Sequence, residues 1–425
     1  MAAELFKKQE KLMPFDICVF EDEHFNRLYP LTLTRPVFDL RCGISLLREK
    51  IIRHFPGSRL HLFCREYLVD VVRETAPDVA VNKIDSKPCL FINGRFIIGE
   101  KLPSLPAHNM AWRNNGEVAA AYISGSRLAS LPQNKDGIIP SSWFDELPSE
   151  DIDGIFIRYP WDLVHHNPEQ IKTDFAYFNR GGQLLGKIYP NVTLLNEKNI
   201  YIAAGARIKS GAVLDAEDGP IFIDEGATIM ANACLQGPVF VGAKSTIKMG
   251  AKIYESTSIG EGCKVGGEVE ESIIHSYSNK QHEGYLGHAY LGQWVNLGAD
   301  TNNSDLKNNY GTVKVYIDGE MVDSGSLFVG LIMGDHSKSG INTMFNTGTV
   351  VGVMSNVFGA GYPEKFIPSF TWGGIEKMEA YSLEKGLEAA HRVMARRKML
   401  LSAAQEKMLS QVFKITADER AVRHG

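Results

Sequence analysis

Long apolar runs, paired cysteines and an excess of basic charge are all missing from this 425-residue sequence, and each absence narrows what it can be. No apolar stretch reaches the roughly 18 residues a helix needs to cross a bilayer, so no membrane partner is expected. The six cysteines (Cys18, Cys42, Cys64, Cys89, Cys234 and Cys263) are scattered with no CxxC pair. That spacing indicates neither a zinc site nor a disulfide framework. Forty-five Lys and Arg against 50 Asp and Glu leave a net charge of −5, which gives no footprint for nucleic acid. The opening MAAELFKKQEKLM is charged but lacks an apolar centre, so it does not read as a secretory signal, and a reducing cytoplasm is the expectation.

What is present divides the chain in two. Hydrophobic content of 44% and charged content of 22% suit globular domains, and the length suits two or three of them. In the first part, strands are expected around Asp16–Phe20, Leu60–Phe63 and Cys89–Asn93. Helices are expected over Ile44–Phe55 and Tyr67–Glu74, where apolar residues recur at helical spacing. Strands alternating with helices predict an α/β domain with a parallel sheet over 14–180, closed by the Asn179-Arg-Gly-Gly-Gln linker.

The second part has a different period. Ile223, Ile229, Leu235, Val241, Ile247, Ile253, Ile259 and Val265 recur every six residues, and Ile202, Ile208 and Leu214 precede them with the same spacing. The residue four places after each member of the long series is small or branched, from Ala227 and Ala233 to Cys263 and Val269. Neither a helix nor an ordinary strand sustains that pattern. A parallel β-helix does: three six-residue sides make a turn, one aliphatic residue points inward from each side, and turns stack ~4.8 Å apart. The coil is expected over 188–370. The period fails after Val265, and two polar excursions are expected, over Glu268–Glu283 and Asn302–Gly325. A helical segment is expected over 375–415, its basic cluster Arg392, Arg396, Arg397 and Lys398 reading as a solvated face or an intersubunit contact.

The break in the period carries the chemistry. His282-x-x-Tyr285-Leu286-Gly287, Leu291-Gly292 and Asn296-Leu297-Gly298-Ala299 resemble, without a gap from His282 to Thr301, the motif GHxxYLGDAxIGxxxNIGAGT. That motif marks the acetyltransferase domain of the bifunctional N-acetylglucosamine-1-phosphate uridyltransferase/glucosamine-1-phosphate acetyltransferases. The resemblance implies a left-handed coil, a homotrimer, and acetyl-CoA as acyl donor. It implies that His282 is the general base and that Tyr285 and Asn296 hold a sugar phosphate. It implies further that Asn309 and Tyr310 match an Asn-Tyr pair by the donor site, with Ala299 and Lys314 on the coenzyme side. A base is what the chemistry asks for, because a sugar ammonium must lose a proton before its nitrogen attacks a thioester, and imidazole titrates near neutral pH. His336 is the runner-up base. Asp300 stands where the motif has glycine, and Tyr254 and Ser272 stand where the family keeps its phosphate-gripping Arg and Lys.

Arg27-Leu-Tyr-Pro30-Leu31-Thr32-Leu-Thr-Arg35-Pro36 resembles the tail of the sugar nucleotidyltransferase signature GGxGTRLxPLTxxxPK, with Arg27 as the nucleotide-binding arginine. Its glycines are replaced by Glu21-Asp-Glu-His-Phe-Asn26, and Arg95 in Asn93-Gly94-Arg95 stands where the family has a metal-binding Asp. The resemblance implies a nucleoside triphosphate, a sugar phosphate and magnesium as ligands of this domain; the sequence leaves the metal ligands open. The whole reading is a nucleotide-sugar biosynthesis enzyme, a sugar-1-phosphate nucleotidyltransferase joined to an amino-sugar-phosphate N-acetyltransferase. Two alternatives stand beside it: a nucleotidyltransferase with a non-catalytic trimerising coil, and a non-catalytic scaffold that binds sugar nucleotides.

Overall fold

A computed structural model describes residues 15–85, 87–99, 106–132 and 136–424. The opening MAAELFKKQEKLM and the expected boundary at residue 14 lie outside them. The chain divides into two compact units. One holds the residues up to His24 with Pro36–Asp39 and Leu47–Ile157; the other holds Phe25–Arg35, Leu40–Leu46 and everything from Arg158. Most of the Arg27–Pro36 stretch therefore belongs to the second unit.

The first unit is built on β1 (Asp16–Phe20), β2 (Leu60–Phe63), β3 (Ala80–Val81) and β4 (Cys89–Asn93), which run parallel in the order β3-β2-β1-β4. Beyond β5 (Phe96–Ile98), the strands β6 (Met110–Asn114) and β7 (Glu117–Ile123) form a hairpin that pairs antiparallel with β4. Its turn, Asn115-Gly116, has positive φ at both residues, the conformation that suits a two-residue hairpin. The expected strands are present; the expected helices are shorter, Leu47–Ile52 and Val69–Thr75. Sequence order reverses between β1 and β4, so the crevice beyond their C-terminal ends is where an open α/β sheet takes ligands.

The second unit is a parallel β-helix with a helical tail. Its three faces show the inward ladder directly. On one, Ile202, Ile223, Val241, Ile259, Ile274, Leu291, Met333, Val351 and Ile367 stack in register. On another, Ile188, Ile208, Ile229, Ile247 and Val265 stack, and Lys280 takes the next inward place. These aliphatics form one buried cluster, each contributing about 1.5–3 kcal/mol by leaving water.

The Glu268–Glu283 excursion is not one. Glu268–Glu270, Ile273–Ser276 and Asn279–Lys280 are coil strands that continue all three faces. The period breaks because this turn is shortened, not because the chain leaves the coil. The second excursion does leave it, as a hairpin of Lys314–Ile317 and Glu320–Asp323.

A helix the sequence pattern did not reveal, Pro160–Phe178, packs on the coil despite an internal Pro168. Its buried Asn167 accepts from the Gly43 amide (2.7 Å) and donates to the Ser256 carbonyl (2.7 Å), and Asp174 accepts from the amides of Ile44 and Ser45. The tail consists of Leu383–Ala395, Ala403–Ile415 and Ala417–His424. No described helix is long and apolar enough to cross a membrane.

Candidate active site

The coil carries four histidines, and burial separates them. His275, His288 and His336 are 4%, 9% and 6% exposed, whereas His282 is exposed. His282 lies in the bend between Asn279–Lys280 and Tyr285–Gly287, a corner between two faces. Its backbone is anchored from inside the coil: the Lys280 ammonium donates to the His282 carbonyl at 2.7 Å. Lys280 is 2% exposed. Burial lowers its pKa to about 8, with Glu283 and Asp300 pulling the other way.

Tyr285 follows at the start of its strand. Its hydroxyl lies 2.8 Å from Asp305 Oδ2 and 3.0 Å from Glu270 Oε2. Burial, then the Asp305 carboxylate, pushes its pKa upward, so it stays a neutral donor. A hydroxyl committed to two carboxylates is poorly placed to grip a phosphate dianion as well.

His288 completes the cluster. Its Nδ1 lies 2.9 Å from Asp305, its Nε2 lies 3.1 Å from Glu271, and its ring stacks on Phe328 at 4.9 Å. Burial disfavours the imidazolium, but the hydrogen bonds to Asp305 and Glu271 outweigh it and push the pKa up to about 9. At neutral pH His288 is a clamped cation, not a free base. Sequence reasoning passed over its partners. The signal was present: one shortened turn pairs Glu270 with Gly287, so residues 17 apart share a corner, as Glu271, His288 and Asp305 do.

The other expected residues fall into separate places. Asn296 accepts from Asn279 Nδ2 at 3.2 Å, and Asn279 in turn accepts from Arg397 at 2.7 Å. Arg397 also donates to the Gly262 carbonyl and covers the Trp294 ring, so this member of the basic cluster packs on the coil rather than forming a solvated face. The Ala299 carbonyl accepts from the Asn342 amide. Asn309, Tyr310 and Lys314 are exposed at the base of the hairpin. Among the described residues, no hydrogen bond joins that trio to His282, Tyr285 or Asn296. His336 stacks near Trp294, and burial lowers its pKa to about 4. Tyr254 is partly exposed, Ser272 is buried with its hydroxyl donating to the Glu270 carbonyl, and Lys252 pairs with Glu268. Asp300, in the glycine position, has φ +56°, a left-handed corner that Asp tolerates better than most residues.

In the first unit, the residues at the ends of β1 and β4 are closed on one another. Glu21 accepts from the Val37 amide and Arg65 on one oxygen, and from the Arg65 amide and side chain on the other. Asp22 accepts from Arg95 Nε (3.0 Å) and the His24 amide on one oxygen, and from the Arg95 guanidinium (2.5 Å) and Asn93 (2.8 Å) on the other. Arg95 is fully buried and also reaches Glu117 at 3.1 Å. No carboxylate oxygen of Glu21 or Asp22 is left for a metal, so this crevice does not fit magnesium. Among the described residues no group of three or more His, Cys, Asp or Glu could hold a metal ion. Arg27 is half-buried, at the end of the turn Glu23–Leu28, in the second unit. Beside the ends of β2 and β3 a cavity of about 660 Å³ opens, lined by Phe63, Glu66, Asn82, Lys83 and Leu128.

Comparison with known proteins bears on both units. Residues 17–183 match the family described as sugar nucleotidyl transferase. A bifunctional sugar-1-phosphate nucleotidylyltransferase/acetyltransferase from Sulfurisphaera tokodaii is 31% identical over 202 residues, covering 48% of this chain and 44% of the relative. Over about half of its length the chain is similar to this bifunctional transferase. The bifunctional protein GlmU of Methanocaldococcus jannaschii is 32% identical over 193 residues, covering 45% of this chain and 40% of the relative. The chain thus spans less than half the length of these curated relatives. Among solved structures, a Francisella novicida UDP-N-acetylglucosamine acyltransferase superposes with a TM-score of 0.34 at 14% identity, covering 55% of this chain and 87% of that one.

Proposed function

We propose that the protein is a transferase of nucleotide-sugar synthesis whose coil moves an acetyl group from acetyl-CoA to an amino-sugar phosphate, with His282 as general base. The exposure of His282, alone among the coil histidines, is the observation that carries this reading. In the proposed step, the His282 imidazole takes a proton from the acceptor's nitrogen, which attacks the thioester carbonyl. A backbone N–H of the coil receives the tetrahedral oxyanion, and collapse expels the coenzyme A thiolate. The carboxylates of Glu270 and Asp305 around Tyr285 favour a cationic amino group nearby over a phosphate. Asn296 would orient the sugar, and Ala299, Asn309, Tyr310 and Lys314 would line the donor side. The enzyme would work in the cytoplasm as a homotrimer. Thiol release from acetyl-CoA that depends on glucosamine-1-phosphate tests the proposal; no release with any amino-sugar phosphate would refute it.

A second reading, nucleotidyl transfer by the α/β unit from a nucleoside triphosphate to a sugar 1-phosphate, is favoured by the family match over residues 17–183 and by the cavity beside β2 and β3. Pyrophosphate release in the absence of any coenzyme A thioester would support it.

A further inference from the structure

The sheet topology puts the ligand crevice of the α/β unit where Asp22 and Arg95 meet, and that place is already filled. We propose that the Arg95 guanidinium is a resident replacement for a divalent cation, so that the crevice between β1 and β4 takes no metal at all.

Three observations support it. First, two carboxylates, the buried Asp22 and the part-exposed Glu117, converge on one Arg95 nitrogen, and a buried carboxylate needs a cation beside it. Second, the cation supplied is covalently part of the strand turn. Arg95 directly follows Asn93-Gly94, and its own amide donates to Asn93 Oδ1 at 3.0 Å, which fixes the turn that aims the side chain inward. Gly94 leaves that turn tightly packed, since a Cβ there would lie 3.0 Å from the Val37 and Phe38 side chains. Third, the guanidinium is held on every side. One nitrogen donates to the Ile157 carbonyl at 3.2 Å, and the plane lies 5.1 Å from the Phe156 ring centroid. A metal could enter only by displacing a side chain that is fully buried and makes a two-point contact with Asp22. The direction of the Asp22 shift agrees with this: burial opposes its ionisation, Arg95 and Asn93 more than offset that, and its pKa falls.

The decisive measurement is manganese uptake by the full chain, read by electron paramagnetic resonance. Wild type should bind no manganese at this site, and Asp22→Asn should leave its uptake unchanged. Arg95→Ala should lose on the order of 10 °C in the melting of the α/β unit, because it strands the buried Asp22 carboxylate. It should then bind one manganese per chain and recover part of that melting temperature when manganese is added, an effect that R95A/D22N lacks. If Arg95→Ala does not fold without manganese, the same titration during refolding reads the rescue. Stoichiometric manganese on wild type that is lost in Asp22→Asn would overturn the proposal. So would magnesium-dependent pyrophosphate release abolished by Asp22→Asn, or an Arg95→Ala variant that no divalent ion rescues.

Discussion

Arg35 donates to Asp335 at 2.5 Å, with both side chains buried. The arginine near the end of the nucleotidyltransferase-like stretch is thereby committed to the coil's own turn. Thr34 donates to the same oxygen at 2.8 Å, the Gln293 amide donates to the other oxygen at 2.8 Å, and Arg35 also holds the Leu31 carbonyl. Arg35→Met should therefore destabilise the second unit by about 3–5 kcal/mol, since it leaves Asp335 buried without its cation. Urea denaturation followed by tryptophan fluorescence measures this. A loss below 1 kcal/mol would mean that the pair is open to water.

His282→Ala should lower kcat by roughly 10²–10⁴-fold, the usual contribution of a general base. Stability should change by no more than about 0.5 kcal/mol, because the side chain is exposed. Thiol release and a denaturation curve on the same preparation separate the two effects. Unchanged kcat would remove His282 from the mechanism.

Lys280→Met should split stability from activity. The inward place below Val265 is aliphatic elsewhere on that face, so methionine fits it and removes a buried charge. Replacing such a charge by an apolar side chain of similar length is often neutral or stabilising. The His282 carbonyl, however, loses its donor. The expected outcome is an equal or higher melting temperature with kcat reduced at least about tenfold, since small displacements of a reacting group are costly. A variant with full activity would show that the anchor is dispensable.

The His288 cluster predicts a pH dependence. Its folded pKa of about 9 lies above the ordinary value of 6.5, so the folded state binds the proton more tightly than the unfolded chain does. The contribution is complete below pH 6.5 and is lost as pH rises through 9, by at most about 3 kcal/mol. Lys280 and Lys338, both lowered to about 8 by burial, shift the opposite way. The difference between wild type and His288→Gln, followed by denaturation from pH 6 to pH 10, isolates the histidine. A difference that does not shrink across that range would contradict the assigned charge state.

Much of the fold was legible because a repeating coil writes its geometry into the chain. A strict six-residue period can bury its aliphatics only on three flat sides, and Ile229, Ile247 and Val265 stack as that period requires. The strands Leu60–Phe63 and Cys89–Asn93 were legible for a similar reason, as short apolar runs between turn residues. Helix Pro160–Phe178 was not. Its polar residues, Asn167 and Asp174 among them, face the segment 43–45 and the coil, so its contact side carries no simple apolar stripe.

The sequence by itself determined the coil, its inward ladder and the motif around His282, because periodicity and local spacing are properties of the chain alone. Only the tertiary structure decided what the charged residues do. Whether a carboxylate awaits a ligand or is already satisfied depends on partners far along the chain. Asp22 meets Arg95, Asp335 meets Arg35, and His288 is held between Glu271 and Asp305. Those pairings follow from burial, which makes an unpaired charge too costly to leave, and burial is known only once the chain has folded.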